Sequence, residues 1–171
     1  MIQVYTGNGK GKSTAAFGMA LRALGAGKRV YIAQFVKDMR YSECFIEDYF
    51  KDRLKIEQWG ASCLLNREAT DEDYAMAERG LDRCATLLRN REGEMYDLII
   101  LDELNIALYM KLLPLEKVLD ALKSIEGDRE VIITGRYAPS ELLALADLVT
   151  DMQEVKHYYQ KGVLSRKGFD C

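Results

Sequence analysis

The run Thr6-Gly7-Asn8-Gly9-Lys10-Gly11-Lys12-Ser13-Thr14 gathers glycines, lysines and hydroxyls into nine residues. That mixture suits an anion. Glycines permit backbone angles closed to other residues and let amide N–H groups turn toward a common point. A helix beginning near Lys12 would add the positive end of its dipole. In such a loop Lys12 supplies a point charge to phosphates, and the Ser13 hydroxyl is placed to reach Mg²⁺. The spacing departs from the usual phosphate loop at one point. Thr6 stands five places before Gly11, where the first glycine belongs, and Gly7 follows it. Gly7, Asn8, Gly9, Lys10, Gly11, Lys12, Ser13 and Thr14 are read as a nucleotide-phosphate site.

The second half of such a site is an acid at the end of a buried strand, holding a metal directly or through water. Leu98-Ile99-Ile100-Leu101-Asp102-Glu103 has that form. Asp102 and Glu103 therefore join Ser13 as candidate metal ligands, although paired acids after a strand also occur in plain solvated turns. Which of the two touches the ion is open. Arg136, in Thr134-Gly135-Arg136, follows another predicted strand and could clamp phosphate oxygens with its planar donors. An ordinary surface arginine is the alternative. Arg22, on the predicted first helix, reads by position alone as a solvated residue.

From Val155 to Phe169 the chain has no acid but carries Lys156, His157, Lys161, Arg166 and Lys167. Such a basic stretch either folds over an anionic ligand or stays solvated. His157, the single histidine, reads as a surface imidazole. No Ser/His/Asp or Cys/His constellation is legible. An enzyme built here would work by positioning and electrostatics, with a substrate supplying the nucleophile.

The elements that must position these groups alternate between two hydrophobic periods. Strands are predicted over Ile2–Thr6, Val30–Phe35, Leu54–Trp59, Tyr96–Leu101, Glu130–Thr134 and Leu148–Met152. Helices are predicted over Lys12–Leu24, from an N-cap at Thr70 to Gly93, through Leu115–Leu122 with Pro114 in its first turn, and from Pro139 through Ala146. Strands separated by helices imply a parallel sheet with right-handed crossovers. The expected fold is a three-layer α/β/α P-loop NTPase-like (RecA-like) domain spanning residues 1–171, with a mostly parallel sheet of about six strands. Lys37–Asp52 and Gly60–Ala69 show no clean period. Loops at the carboxyl ends of parallel strands build ligand sites, so a second substrate is sought there.

Composition narrows the function classes. The 171 residues carry 24 Lys and Arg against 27 Asp and Glu, a net charge of −3. A nucleic-acid coat needs excess positive charge, so nucleic acid is not an expected partner. The four cysteines, Cys44, Cys63, Cys84 and Cys171, form no metal-ligand spacing. No apolar run approaches a membrane span and no signal-peptide pattern opens the chain, so a cytoplasmic protein is expected.

Taken together, the segments at 6–30 (TGNGKGKSTAAFGMALRALGAGKRV), 33–37 (AQFVK), 96–108 (YDLIILDELNIAL), 131–152 (VIITGRYAPSELLALADLVTDM) and 155–170 (VKHYYQKGVLSRKGFD) resemble the CobA-type corrinoid adenosyltransferases. The resemblance runs in order along nearly the whole chain. It implies transfer of the 5′-deoxyadenosyl group of ATP to the Co(I) of a reduced corrinoid, with release of triphosphate, in adenosylcobalamin synthesis or salvage. The implied subtype acts on cob(I)yrinic acid a,c-diamide.

Because Co(I) is itself the nucleophile, no protein base is required. The family's nucleotide lies reversed relative to ordinary P-loop enzymes, so that C5′ faces the attacker. Asn8 to Thr14 would then hold the triphosphate, Ser13 and Glu103 the metal, and Arg22 and Arg136 further parts of the nucleotide. Lys12 and Glu103 become the residues expected to carry catalysis. The resemblance further implies a homodimer and a flavin-type reductase that supplies Co(I).

One departure falls in the corrinoid loop. Many bacterial members carry Gly-Phe-Thr-Trp there, whereas this chain reads Trp59-Gly60-Ala61-Ser62-Cys63-Leu64-Leu65. An ungapped alignment sets Cys63 and Leu65 where the aromatics belong, with Trp59 or Phe45 as nearby substitutes. The alternative reading of the whole is a P-loop phosphotransferase or ATPase, which would leave ADP rather than triphosphate. A non-catalytic nucleotide sensor, whose tail orders on ATP binding, is a third.

Overall fold

A computed structural model describes residues 1–37, 39–61, 68–89 and 95–170. Six strands, β1 (Ile2–Thr6), β2 (Val30–Phe35), β3 (Leu54–Trp59), β4 (Leu98–Asp102), β5 (Glu130–Thr134) and β6 (Leu148–Asp151), form one sheet. Its order is β3-β2-β4-β5-β1-β6, and every pairing is parallel. Because all strands point one way, their carboxyl ends share one rim. That rim carries the phosphate loop after β1, Asp102 and Glu103 after β4, and Gly135-Arg136 after β5.

Side chains alternate across the sheet, as a strand's period of two requires. One face packs Tyr5, Val30, Ile32, Leu98, Ile100 and Ile132 against Ala16, Ala20 and Leu24 of α1 (Lys12–Gly25). The other packs Val4, Tyr31, Phe35, Ile99, Leu101 and Ile133 against α3 (Asp71–Leu88) and α5 (Leu115–Lys123), with α2 (Glu47–Phe50) standing beside β3. The three-layer expectation holds. β6 is the exception to burial, exposed throughout at its edge.

Several boundaries differ from the sequence reading. The helix after Thr70 ends at Leu88 rather than running to Gly93, and residues 90–94 lie outside the described ones. Its start is fixed by a capping box: the Asp73 carboxylate accepts 2.8 Å bonds from both the backbone N–H and the hydroxyl of Thr70. Asp73 is therefore buried while the neighbouring Tyr74 is exposed. β4 starts at Leu98 rather than Tyr96 and reaches Asp102. A short helix, α4 (Leu104–Tyr109), follows at once. The period was hidden there because α4 is only six residues long. Pro114 and Pro139 stand at the N-caps of α5 and α6 (Ser140–Leu145). The irregular stretch after β2 folds into 3₁₀ and α turns over 42–53. No described helix is long and apolar enough to cross a membrane.

Candidate active site

The phosphate loop forms because β1 is clamped between β5 and β6 while α1 starts on the sheet face behind it. Gly7 (φ 93°) and Gly11 (φ 120°) adopt backbone angles that favour glycine. Gly9 is required for a different reason: its N–H donates to the Met152 carbonyl at 2.6 Å, and an added Cβ would lie 2.7 Å from that oxygen. Gly9→Ala is therefore expected to deform the loop and weaken ATP binding by about tenfold or more, measured by calorimetry. Gly18→Ala on the open side of α1, where a Cβ meets nothing within 4 Å, is the control and should retain affinity.

Lys12 is buried, and its Nζ donates to the loop's own carbonyls, Gly7 O at 2.9 Å and Gly9 O at 2.7 Å. Burial lowers its pKa, opposed by the negative charge of Glu103. Neither bond is to a carboxylate, so the charge stays available to an incoming anion. Gly7 and Asn8 face another way, lining a cavity of about 390 Å³ with Tyr137 and Asp151. Gly9, Lys10, Gly11, Lys12, Ser13 and Thr14 line a 410 Å³ cavity together with Glu103 and Arg136. Arg136 is thus brought to the loop. Arg22 is not: it is exposed in the last turn of α1, ten residues beyond Lys12, or about 15 Å at the helical rise.

Asp102 and Glu103 are adjacent in sequence but differ in environment. Asp102 is fully buried. Its Oδ2 accepts from Lys37 Nζ at 2.8 Å and Gln34 Nε2 at 3.2 Å, and its Oδ1 from the Thr134 hydroxyl at 2.7 Å. The Ser13 hydroxyl faces the same carboxylate. Burial pushes the Asp102 pKa up, but Lys37 together with the Thr134 and Ser13 hydroxyls outweighs it and the net shift is downward. The pair is ionised at neutral pH. Glu103 adopts left-handed angles (φ 60°), an uncommon conformation for a side chain with a Cβ. Its N–H donates to Thr134 Oγ1 at 2.9 Å. This turn swings Glu103 away from its neighbour into the cavity, where burial and the Asp102 charge raise its pKa.

The donor set suits Mg²⁺, which binds through one or two carboxylates, a hydroxyl and substrate phosphates. Glu103 and Ser13 present free oxygens to the cavity, whereas both oxygens of Asp102 already accept bonds within the chain. Among the described residues no cluster of three His, Cys, Asp or Glu forms a self-contained metal cage. The ion would therefore depend on phosphate oxygens.

A second cavity, of 690 Å³, shares Ser13 and Glu103 with the 410 Å³ one. Its aromatic wall comes from Phe17, Tyr41 and Phe169, and Lys37 and Glu43 supply charge. Two of the corrinoid candidates from sequence, Trp59 and Phe45, do not line this cavity. Trp59 packs its ring on α3, so closely that a Cβ on Gly80 would lie 2.6 Å from it. Phe45 is exposed beneath the Arg40 guanidinium. Cys63 and Leu65 lie outside the described residues.

The basic tail folds over the loop. A 3₁₀ turn (Tyr158–Lys161) sets His157, Tyr158 and Tyr159 against the 410 Å³ cavity. The His157 Nδ1 accepts from the Tyr159 N–H at 3.1 Å, so this imidazole caps the 3₁₀ turn. Lys37, Thr134, Asn105 and Asp170 escaped the sequence reading. Asn105 donates from Nδ2 to the Gly135 carbonyl at 2.9 Å, tying α4 to the Arg136 loop. The one signal for Lys37 was its place two residues past the end of the buried strand β2, on the carboxyl rim.

A parallel sheet with a glycine loop, an invading lysine and a strand-end acid defines a P-loop nucleotide-binding protein. The family described as ATP:corrinoid adenosyltransferase BtuR/CobO/CobP matches residues 1–171, and the chain belongs to it. It is 36% identical over 176 residues to the corrinoid adenosyltransferase CobA of Salmonella typhimurium, covering 99% of this chain and 85% of that one. A corrinoid adenosyltransferase of Pseudomonas aeruginosa is 36% identical over 172 residues (99% and 83%), and one of Escherichia coli K12 34% over 174 (99% and 85%).

Proposed function

We propose that the chain transfers the 5′-deoxyadenosyl group of ATP to the Co(I) of a reduced corrinoid and releases triphosphate. The observation that carries this reading is the meeting of two cavities at Ser13 and Glu103, one over the phosphate loop and a larger one with aromatic walls. A nucleotide in the first and a planar acceptor in the second would share that boundary.

The Co(I) electron pair attacks C5′, the Co–C5′ bond forms, and the C5′–O5′ bond breaks with its pair leaving on the triphosphate. The loop N–H groups and Lys12 hold the charge that develops on the leaving group, as preorganised donors do. Arg136 adds a second cation from the β5 rim. Glu103 and Ser13 would hold Mg²⁺, which when bound neutralises part of the triphosphate charge. Asp102, closed off by Lys37, orients Ser13 from behind. Phe17, Tyr41 and Phe169 offer apolar faces to the corrinoid in place of the aromatics expected near Gly60. The cob(I)yrinic acid a,c-diamide subtype, a flavin-type reductase, a homodimer and a cytoplasmic setting belong to the same reading, supported by the sequence resemblance.

An anaerobic assay with Mg-ATP and chemically reduced cobalamin tests it. Protein-dependent loss of Co(I) absorbance, a light-sensitive alkylcobalamin and triphosphate are expected together. ADP as the product would replace this reading with phosphoryl transfer.

A further inference from the structure

Lys10 and Lys12 stand two residues apart in one loop, yet their ammonium groups belong to different parts of the chain. Lys12 bonds only its own loop. Lys10 bonds only the tail: Nζ donates to the Phe169 carbonyl at 2.8 Å and to Asp170 Oδ1 at 2.6 Å. The Asp170 carboxylate is a hub. Besides Lys10 it accepts from the Tyr158 hydroxyl, and its Oδ2 accepts from both the backbone N–H and the Nε of Arg166 at 3.0 Å. Arg166 in turn lies over the rings of Tyr158 (4.8 Å) and Phe169 (5.4 Å). Three of the four donors thus come from the tail itself, and the fourth ties it to the phosphate loop.

We propose that Lys10 and Asp170 form a clasp closing residues 157–170 over the phosphate loop, with Asp170 as a positioning residue for the transfer reaction. The clasp builds a wall that the loop alone cannot supply. Tyr158, Tyr159, Val163 and Ser165 complete the 410 Å³ cavity, and Ser165, Gly168 and Phe169 complete the larger one. Lys10 accordingly serves closure, and Lys12 serves the phosphates. A single exposed ion pair contributes little. Here one carboxylate gathers four donors, so its loss leaves the Lys10 bond to the Phe169 carbonyl as the remaining tie from Lys10 to the tail. This assignment rests on the reading that the loop takes the triphosphate of ATP.

Limited trypsin digestion of the full chain tests the clasp, because Lys161, Arg166 and Lys167 lie within the strap. In Asp170→Ala the strap should be cut about tenfold faster while the melting temperature stays near that of the wild type. KM for ATP should rise by a similar factor, with a smaller change in kcat. Asp170→Glu, which keeps the carboxylate that these donors need, should retain most of the protection that Asp170→Ala loses. Unchanged cleavage in Asp170→Ala overturns the clasp. So does tighter binding of inorganic tripolyphosphate by that variant, which would make the carboxylate a competitor for phosphate. Cleavage is read without nucleotide, so the clasp stands or falls there. Failure of the wild type to bind tripolyphosphate would overturn the functional reading instead.

Discussion

Lys12→Ala is expected to lower kcat by about 10³-fold while the protein remains folded. The reacting bond places a growing negative charge on the triphosphate, and Lys12 is the cation held closest to the loop's amide groups. Its ammonium is buried and bonded only to the Gly7 and Gly9 carbonyls, so phosphate need not break a salt bridge to recruit it. Low local dielectric strengthens its effect on charge that appears only in the transition state. Two hydrogen bonds to carbonyls are lost in the variant, and those carbonyls can turn to water, so stability should fall by only about 1 kcal/mol. Lys12→Arg should not restore activity, because a planar guanidinium cannot occupy the space of a compact ammonium. Single-turnover rates at saturating ATP, with melting curves for each variant, measure this. Wild-type kcat in Lys12→Ala would remove Lys12 from catalysis.

The phosphate loop and the strands were legible in the sequence for one physical reason: the patterns that announce them are local. Continuous apolar runs such as Leu98–Leu101 announce strands covered on both faces, and the glycines of the loop answer to local backbone geometry. What escaped depends on partners far along the chain. Lys37 meets Asp102 across 65 residues, and Lys10 meets Asp170 across 160. Neither separation carries a period. The choice between Asp102 and Glu103 was equally hidden, because it turns on one left-handed residue and on Lys37. Trp59 was ambiguous for the converse reason. An aromatic at a strand end signals a ligand wall or a core contact equally well, and only the bare backbone of Gly80 across from it decides for the core.

Lys37→Met should destabilise the fold by about 3 kcal/mol or more, although Lys37 lies on the rim of the site. The carboxylate it neutralises is fully buried, and the Lys37 side chain is itself only 17% exposed. Removing the cation strands a charge that the Thr134 hydroxyl and Gln34 amide cannot neutralise. Lys37→Met with Asp102→Asn removes the charge too, and should recover most of the loss even though it cannot restore every hydrogen bond.

The pH dependence has a definite sign. In the wild type the Asp102 pKa is depressed, so its contribution is present above the unfolded value of about 3.9 and is lost as pH falls through the folded value. In Lys37→Met burial is opposed only by neutral donors such as Thr134 and Ser13 and raises that pKa, so the penalty is largest at neutral pH and relaxes as acid protonates the carboxyl. The stability gap between the two proteins should therefore narrow from pH 7 toward pH 5. Urea midpoints of the wild type, both single variants and the double variant at the two pH values measure the coupling. A double variant no more stable than Lys37→Met, or a gap indifferent to pH, would mean the charge of Asp102 is balanced by something other than Lys37.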